Sequence, residues 1–382
     1  MPGPVGWQPR LMPGLQRLLQ YPAYETKPDA DALLRALKVE KLALLDNNEE
    51  YLGPSPAVPA ALAAALSGVN RYPDGYDARL RGRLAAELRV EREQIVIGTG
   101  SNAVLETLGA VFLEPGARCV IPRHAFAVYA KIAVQNSAVP AFVTERAWTI
   151  DVPALIEAAQ AERTAMVFVA NPNNPTGTRV GRDEIEALLA AVPERVVVVV
   201  DEAYADYAGD ESAIGLIARH PNLVVTRTFS KVYALAGLRI GYAVSSPQVC
   251  AIVRRAAQPY TVSTLAVLAA EAAYADREHR ALVVRENAAR RRELVAALTA
   301  LDLAPLESHT NFVTVELPVA GAAVTRALER RAIFVRDLDA YAMPNHIRIT
   351  VGGRDELAQL LGALRELRAA GWAPDERRAV AT

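Results

Sequence analysis

Seven short apolar runs, separated by helical patterns, constrain the fold more than any other feature of this sequence. The runs are mostly continuous, with no alternation of apolar and polar residues. This pattern is typical of strands that are buried on both faces beneath helices. The sequence therefore predicts a wound α/β domain with strands at Ile95-Val96-Ile97, Cys119-Val120-Ile121, Ala141-Phe142-Val143, Met166-Val167-Phe168-Val169, Val196-Val197-Val198-Val199-Val200, Leu223-Val224-Val225 and Ile240-Gly241-Tyr242-Ala243-Val244.

The pattern changes beyond about residue 266. A long helical stretch rich in Ala and Arg runs to about Leu301, and a strand follows at Asn311-Phe312-Val313-Thr314-Val315. A helix at about 322–331, strand-like runs near Ile333 and Ile347, and a last helix at about 355–369 predict a smaller α+β domain. Residues 1–28 are rich in Pro, Gly and Tyr, which predicts an arm that lies on another surface.

Charge and cysteine content exclude several classes of protein. Lys and Arg number 42 against 43 for Asp and Glu, so no net field favours nucleic acid or an anionic membrane. Cys119 and Cys250 lie in apolar runs without metal-ligand spacing, which predicts buried thiols and no metal site. No stretch is long enough to span a bilayer, so we expect a cytoplasmic protein.

A lysine follows the sixth apolar run, in the loop Thr228-Phe229-Ser230-Lys231. Burial disfavours the charged ammonium and lowers the pKa of a lysine toward the neutral, nucleophilic amine. The hydroxyls of Thr228 and Ser230 and the guanidinium of Arg239 add the donors and the positive charge that a phosphate needs. The loop fits an imine-forming lysine beside a phosphate cradle, and a surface loop with one solvated lysine and one arginine fits it as well.

Two polar residues follow the run of five valines, in Asp201-Glu202-Ala203-Tyr204. A carboxylate at the end of a buried strand is costly unless a cation, such as a protonated heterocyclic nitrogen, pairs with it. Tyr204 can bring a phenol to the same place. A helix-capping aspartate is the competing explanation for Asp201.

Three further strand ends carry groups that suit a ring bearing a phosphate. Gly98-Thr99-Gly100-Ser101-Asn102 opens a helix whose first N–H groups can bind an anion, with Ser101 as a possible cap. Phe126 can stack on a planar ring, although an aromatic there is also typical of a core, and His124 is predicted to be structural. Asn171-Pro172-Asn173-Asn174-Pro175 is a dense turn sequence whose amides can donate to a ligand oxygen.

Ligands of wound α/β domains lie at the carboxyl ends of the strands, where all these groups are predicted. A lysine amine, a buried carboxylate, an amide and a phenol, a stacking aromatic and an anion site together describe a pocket for pyridoxal phosphate.

The chain also resembles the fold-type I pyridoxal phosphate-dependent aminotransferases (class I/II), and among them the histidinol-phosphate aminotransferase subfamily. The resemblance extends from about Leu44 to Leu364 and implies the fold of that family: a large domain with a mostly parallel seven-stranded sheet between helices, and a smaller α+β domain. It rests on Leu45-Asp46-Asn47-Asn48-Glu49, Arg71-Tyr72-Pro73-Asp74, Asn173-Asn174-Pro175-Thr176-Gly177, Asp201-Glu202-Ala203-Tyr204, Ser230-Lys231, Leu235-Ala236-Gly237-Leu238-Arg239 and His346-Ile347-Arg348-Ile349-Thr350-Val351-Gly352.

The resemblance implies roles for the matching residues. Lys231 would hold the cofactor as an internal imine and then move the proton, Asp201 would pair with the pyridinium nitrogen, and Tyr204 completes the catalytic set. Further cofactor contacts are implied for Ser101, Asn102, Phe126, Asn174, Thr228, Ser230, Arg239 and Tyr72. Tyr72 would reach the phosphate of a neighbouring subunit, so a homodimer with shared sites is expected.

On the substrate side, the resemblance implies that Arg348 holds an anionic group, with Arg336 as a second positive charge. Tyr24, or Tyr21, in the arm would close over the pocket. The expected domains are residues 1–49 as arm and part of the small domain, 50–265 as the large cofactor-binding domain, and 266–382 as the small domain with a flexible tail.

The implied reaction moves an amino group from an L-amino compound, with L-histidinol phosphate preferred, to 2-oxoglutarate, giving imidazole acetol phosphate and glutamate. An aromatic or other amino-acid aminotransferase, or a decarboxylase or cyclase of the same subfamily, stays open as an alternative. The sequence departs from the family where Asn48-Glu49-Glu50 replaces the usual Asn-Glu-Asn and where Phe126 replaces the commoner Tyr. A ligand-sensing regulator is disfavoured, because the arm before Asp29 is too short for a DNA-binding module.

Overall fold

A computed structural model describes residues 15–20, 29–73, 75–209 and 211–372. Among these residues the strands are β1 (Ala43–Leu44), β2 (Ile95–Gly98), β3 (Arg118–Pro122), β4 (Val139–Val143), β5 (Thr164–Ala170), β6 (Val197–Asp201), β7 (Leu223–Thr228), β8 (Gly241–Val244), β9 (Ala304–Pro305), β10 (Phe312–Glu316), β11 (Ile333–Phe334), β12 (Arg336–Asp337) and β13 (His346–Thr350).

The α-helices of the same residues include two long ones near the end of the chain and several shorter ones between the strands. They are α1 (Ala30–Leu37), α2 (Ala57–Ala65), α3 (Tyr76–Leu88), α4 (Gly100–Phe112), α5 (Val128–Gln135), α6 (Val152–Gln160), α7 (Arg182–Ala191), α8 (Ala205–Ala208), α9 (Pro247–Ala256), α10 (Thr264–Ala275), α11 (Arg277–Thr299), α12 (Gly321–Glu329) and α13 (Arg354–Ala369). Short 3-10 segments include Leu15–Gln20, Arg92–Gln94 and Ala236–Leu238.

All seven predicted runs form one sheet, with the order β2-β8-β7-β6-β5-β3-β4. Strands β3 to β7 pair in parallel, and β8 runs antiparallel to both β7 and β2. The predicted mostly parallel, seven-stranded sheet is therefore confirmed.

Helices cover both faces of this sheet, which explains why its strands are apolar throughout. Val198 and Val200 pack into the core on one face, and Val197 and Val199 pack into the core on the other. Successive side chains of a strand point to opposite faces, so a strand with two covered faces needs an unbroken apolar run.

A smaller unit contains the sheet β12-β13-β10-β9 and the pair β1-β11. Its core joins Leu45 with side chains from α11, β10, β13 and α13, including Leu294, Val313, Ile349 and Leu360. The predicted elements of the small domain are thus present, except that the long helical stretch is interrupted at Asp276, the N-cap of α11.

The border between the two units stays a prediction. Helix α10 packs against α2 and α3, and its Ala269 and Ala270 belong to the core of the large sheet. We propose, from this packing, that the large domain extends beyond residue 265 to the start of α11. In the described part of the chain, no helix is long and apolar enough to cross a membrane.

Candidate active site

Lys231 lies just beyond the end of β7, in the loop that leads to β8, and it is partly buried. Its Nζ donates to two backbone carbonyl oxygens, those of Asn47 and Asn48, each at 3.1 Å. The ammonium nitrogen also lies 5.7 Å from the centre of the Tyr204 ring. The amine is therefore held in place by a segment that lies more than 180 residues earlier in the chain.

The surroundings of Lys231 favour its neutral form. Burial is the largest cause, and the positive charges of Arg348 and Arg239 act in the same direction, against the negative charge of Glu49; together they lower the pKa of Lys231 to about 7. A lysine with this pKa has a large fraction of free amine near neutral pH, and a free amine is a nucleophile and a proton acceptor.

Asp201 is the last residue of β6 and is buried, with 5% of its surface exposed. Tyr129 donates its hydroxyl to Oδ2 at 2.7 Å, and Thr226, its register partner on β7, donates to Oδ1 at 3.0 Å. Burial raises the pKa of Asp201, and these two hydrogen bonds lower it only in part. A cation that approached this carboxylate would relieve the cost of its burial.

Asp201 does not cap a helix, because it belongs to the strand and both of its oxygens bind hydroxyls. Tyr129 is itself fixed by Phe168, whose ring is parallel to it at a centroid distance of 4.4 Å. The carboxylate is thus aimed by two neighbouring strands and by one helix.

Tyr204 follows β6 and is buried. Its hydroxyl oxygen accepts a hydrogen bond of 2.9 Å from Nδ2 of Asn48. Burial is the main reason that the pKa of Tyr204 is raised to about 12, while the positive charge of Arg348 lowers it in part. The phenol is protonated at neutral pH and can donate its hydrogen to a second group.

An anion cup lies between the start of α4 and the Lys231 loop. Helix α4 begins at Gly100, and Thr99 at its N-cap makes no side-chain hydrogen bond to the helix. Ser101 is therefore inside the first turn, and the predicted cap at Ser101 is wrong. The uncapped N–H groups of this turn, which includes Ser101 and Asn102, form the positive end of the helix dipole.

Glycines allow the other walls of this cup to come close. A Cβ atom on Gly100, whose φ is +77°, would lie 2.6 Å from Nη2 of Arg239, and a Cβ atom on Gly241 would lie 2.4 Å from the backbone nitrogen of Ser101. On the opposite wall, the hydroxyl of Thr228 donates to Oγ of Ser230 at 3.0 Å. A guanidinium, two hydroxyls and a helix start therefore converge, as phosphate binding requires.

Phe126 is partly buried and precedes α5, with its ring edge-on to Tyr129 at a centroid distance of 5.7 Å. The loop that carries it is clamped by Glu145, whose carboxylate binds both the backbone N–H and Nδ1 of His124, at 2.7 and 2.6 Å. Asn173 donates to the carbonyl oxygen of His124 at 2.8 Å. Glu145 and Asn173 thus hold His124 in place, and its predicted structural role stays a prediction.

Arg348 lies on β13, is 5% exposed and reaches into the site from the smaller unit. It donates to Oδ1 of Asn174 and to the backbone oxygen of Asp46, each at 2.6 Å. Its Nε is buried without a hydrogen-bond partner among the described residues. Because burial lowers the pKa of Arg348, an anion at this point would stabilise the charged guanidinium.

Arg336 is the register partner of Arg348 on the neighbouring strand β12, so both side chains project from the same face of the small sheet. Its Nη2 donates to Oδ1 of Asn47 at 2.9 Å and lies 3.7 Å from Oδ2 of Asp46. The side chain is 34% exposed, in contrast to the buried Arg348.

Comparison with known proteins identifies the family. Residues 40–364 match the family of class I and II aminotransferases. The chain belongs to this family. Curated relatives of the aminotransferase include histidinol-phosphate aminotransferase 2 of Pseudomonas fluorescens, 42% identical over 94% of this chain and 97% of the relative, and that of Pseudomonas aeruginosa, 42% identical over 92% and 96%.

Solved structures agree with the fold of the aminotransferase. Histidinol-phosphate aminotransferase from Sinorhizobium meliloti, determined in complex with pyridoxal-5'-phosphate, has a TM-score of 0.87 at 28% identity, and the alignment covers 96% of this chain and 100% of that one. A Thermus thermophilus aspartate aminotransferase mutant shares the fold, with a TM-score of 0.77, 24% identity and coverage of 93% and 100%.

Most of the predicted cofactor-binding residues of the aminotransferase lie at the carboxyl ends of the large sheet, and Arg348 and Arg336 approach from the small sheet. Among the described residues, Tyr72 differs from them. Tyr72 is 73% exposed and packs against Tyr260 at a ring distance of 4.8 Å. Tyr24 and Tyr21 lie outside the described residues. The proposed contacts of these tyrosines stay predictions.

Several residues that hold the site together were not predicted as site residues. Tyr129 and Thr226 hold Asp201, and Asn48 holds both Lys231 and Tyr204. The available signals are weak: a tyrosine in a mostly apolar helix, a threonine that follows the apolar residues of a strand, and an asparagine in a polar turn.

Proposed function

We propose that this aminotransferase uses pyridoxal 5'-phosphate to transfer the amino group of L-histidinol phosphate to 2-oxoglutarate, giving imidazole acetol phosphate and glutamate. The observation that carries the proposal is a lysine of lowered pKa and a buried aspartate at one edge of the sheet, beside an anion cup. Relatives that share 42% of their residues over nearly the whole chain carry the name histidinol-phosphate aminotransferase, which supports the choice of substrate.

The residues fit the cofactor. The cup formed by Ser101, Arg239, Thr228 and Ser230 suits its phosphate, because the glycines at positions 100 and 241 leave space that any Cβ atom would fill. The buried carboxylate of Asp201 suits a protonated ring nitrogen, since a cation offsets the cost of its burial. Phe126 offers an aromatic face to the ring, and Asn174 and Tyr204 offer donors for its hydroxyl.

When bound, pyridoxal phosphate supplies an aldehyde carbon that exchanges amines and a protonated ring that accepts electron density. Asp201 would pair with the ring nitrogen and favour its protonated form. Lys231 would accept and return a proton at Nζ, and its lowered pKa suits both directions of transfer near neutral pH. Its hydrogen bonds to the carbonyl groups of Asn47 and Asn48 fix where the nitrogen can act.

The two arginines support an anionic substrate. Arg348 has a buried guanidinium whose Nε finds no partner in the described part of the chain, and Arg336 adds a second charge on the same face. A phosphate or a carboxylate can bind such a pair through several charge-assisted hydrogen bonds. The pair can therefore serve both the phosphate of histidinol phosphate and a carboxylate of glutamate.

Two further parts of the proposal concern the assembly and its location. We propose a cytoplasmic homodimer in which Tyr72 reaches the partner's site. An exposed apolar patch of Leu66, Val69, Tyr72 and Tyr260, each more than half exposed, supports a covering subunit. Sedimentation at several concentrations tests the dimer, and a stable monomer with full activity contradicts it.

The substrate is tested by half-reactions. Purified, cofactor-loaded protein is mixed with L-histidinol phosphate, L-histidinol, phenylalanine, tyrosine or glutamate, and the cofactor's visible absorbance reports conversion to the amine form. We expect rapid conversion by histidinol phosphate and glutamate, and much slower conversion by histidinol, which lacks the phosphate. Preferential conversion by an aromatic amino acid would contradict the proposed substrate, and release of carbon dioxide would indicate a decarboxylase.

The cofactor role is tested with Lys231→Ala. We expect loss of turnover and of the cofactor's characteristic visible absorbance, because the substitution removes the amine that is held at this place. Lys131→Ala, which changes an exposed lysine of α5, is the control and should behave as the wild type. Turnover that survives in Lys231→Ala would overturn the assignment.

A further inference from the structure

Asn48 has a hydrogen-bond partner at each of its polar atoms, although it lies in a turn between strand β1 and helix α2. The residue is 2% exposed and has a left-handed backbone, with φ +55°. Its backbone N–H donates to Oγ1 of Thr350 at 3.0 Å, and its carbonyl oxygen accepts from Nζ of Lys231 at 3.1 Å and from Nδ2 of Asn311 at 3.0 Å. An asparagine this completely bonded has one orientation available.

The side chain of Asn48 is oriented by the same neighbours. The hydroxyl of Thr350 faces Oδ1 at 3.4 Å, which directs Nδ2 toward Tyr204. Nδ2 then donates to the hydroxyl oxygen of Tyr204 at 2.9 Å. An amide nitrogen can only donate, so Tyr204 must act as the acceptor in this bond.

A phenol that accepts one hydrogen bond still has its own hydrogen to donate. The hydrogen that Asn48 donates occupies one lone pair of the Tyr204 oxygen, so the phenol's own hydrogen points in another direction. The buried Tyr204 faces the site of Lys231. If a carboxylate replaced the amide, the phenol would donate its hydrogen to that carboxylate. The hydrogen would then point away from the site.

We infer that Asn48 is a positioning residue that makes Tyr204 a donor to the ring oxygen of the cofactor. The inference rests on the proposed function, because it needs a bound cofactor oxygen as the acceptor. The amide works through Tyr204, while the backbone carbonyl of the same residue holds Lys231. One residue thereby contacts both Lys231 and Tyr204.

Two substitutions separate this role from simple packing. Asn48→Asp keeps the size of the side chain but replaces the donor by an acceptor. Asn48→Gly removes the side chain, keeps the carbonyl that binds Lys231 and tolerates the positive φ. We expect kcat to fall about 10- to 100-fold for Asn48→Asp, on the order of one hydrogen bond to a charged group, and less for Asn48→Gly.

The relative size of the two decreases in kcat distinguishes a positioning role from simple packing. A residue that only fills space would tolerate Asp and suffer from Gly, so a milder effect of Asn48→Asp would overturn the inference. Lys38→Gly is the matched control, because Lys38 has the same φ of 55° and its side chain is exposed. It should leave kcat unchanged.

A double substitution isolates the path through Tyr204. In a Tyr204→Phe background, Asn48→Asp should lower kcat by less than about threefold, because the phenol hydrogen that the carboxylate would divert is already absent. If Asn48→Asp lowers kcat as much in this background as in the wild type, the new carboxylate acts on Lys231 directly and the inference is wrong.

A spectroscopic readout accompanies the kinetics. Tyr204→Phe and Asn48→Asp should both raise the pKa at which the visible absorbance of the bound cofactor changes, because both withdraw a donor that stabilises negative charge on the ring oxygen. An unchanged titration in Asn48→Asp, with a clear shift in Tyr204→Phe, would contradict the inference. Wild-type protein that neither binds pyridoxal phosphate nor transaminates would instead refute the proposed function.

Discussion

The two halves of the site are built differently. On the cofactor side, Asp201 is held by Thr226, its register partner on the adjacent strand, and by Tyr129 of helix α5. On the substrate side, Arg348 is held by Asn174 and by the backbone of Asp46, which lie 174 and 302 residues away in the chain. Asp201 is thus held by neighbours within the large unit, whereas Arg348 is held by contacts that join both units.

This difference has a physical consequence. Strand pairing fixes Asp201 against Thr226, so this part of the cofactor side is in place whenever the large domain is folded. The arginines depend on the position of the small unit and of residues 46–50 relative to that sheet. We therefore expect substitutions on the cofactor side to act on the chemical step, and substitutions on the substrate side to act on recognition.

The largest effect is expected for Asp201→Asn. The shape is retained but the charge that pairs with the ring nitrogen is lost, so kcat should fall by about a thousandfold or more, at about 1.4 kcal/mol for each factor of ten. KM for the amino donor should change little. Steady-state kinetics measure both, with the exposed Asp183→Asn on α7 as the control.

A decrease of less than tenfold in kcat for Asp201→Asn would break the comparison, because the buried charge would then contribute little to the chemical step.

A smaller effect, on recognition, is expected for Arg348→Lys. A lysine keeps the charge but loses the forked geometry that binds an anion and Asn174 together, so KM for 2-oxoglutarate should rise about 10- to 100-fold. Arg336→Lys should have a weaker effect because that side chain is 34% exposed. Kinetics with 2-oxoglutarate varied at saturating donor provide the measurement.

Arg326→Lys, on the exposed face of α12, serves as the control for the arginine variants. The prediction fails if Arg336→Lys raises KM more than Arg348→Lys does, since the anion would then bind at the more exposed arginine.

The smallest effect concerns Glu50, which lies at the junction of the two halves. Burial raises the pKa of Glu50 to about 7, although hydrogen bonds from the Tyr207 hydroxyl and the Leu52 N–H lower it in part. The folded protein therefore prefers the protonated carboxyl, and its stability falls as the pH rises from 4.5 toward 7 and the group ionises. Glu50→Gln should remove this loss.

Denaturant unfolding of the apoprotein at pH 5 and pH 8 measures the difference. From pH 5 to pH 8, the free energy of unfolding of Glu50→Gln should rise by about 1–3 kcal/mol relative to that of the wild type. The contribution of Lys231 has the opposite sign, because its lowered pKa favours folding at higher pH, but it cancels in the comparison. Exposed Glu278→Gln is the control, and an equal pH dependence in both variants would refute the assignment.

Much of the cofactor side could be predicted from the sequence. Each of Asp201, Lys231, Ser101 and Asn174 follows an apolar run, and parallel strands bring their carboxyl ends to one edge. The expected cap at Ser101 is wrong, because the helix begins at Gly100 with Thr99 at the N-cap, which places Ser101 in the first turn.

The partners of these residues could not be predicted in the same way. The bonds from Tyr129 to Asp201, from Asn48 to Tyr204 and from Arg348 to Asn174 join residues 72, 156 and 174 positions apart. No local pattern distinguishes these side chains from other tyrosines, asparagines and arginines of the chain.

The sequence by itself determined the layered α/β fold and the chemistry available at the strand ends, because burial on two faces demands continuous apolar runs and the groups that follow those runs are read directly. Only the tertiary structure decided that Asn48 joins Lys231 to Tyr204, that Tyr129 aims Asp201, and that Arg348 is buried while Arg336 is not. Hydrogen bonds and burial depend on distances between segments that meet only after the chain has folded. The residue pattern within a single segment does not indicate these distances.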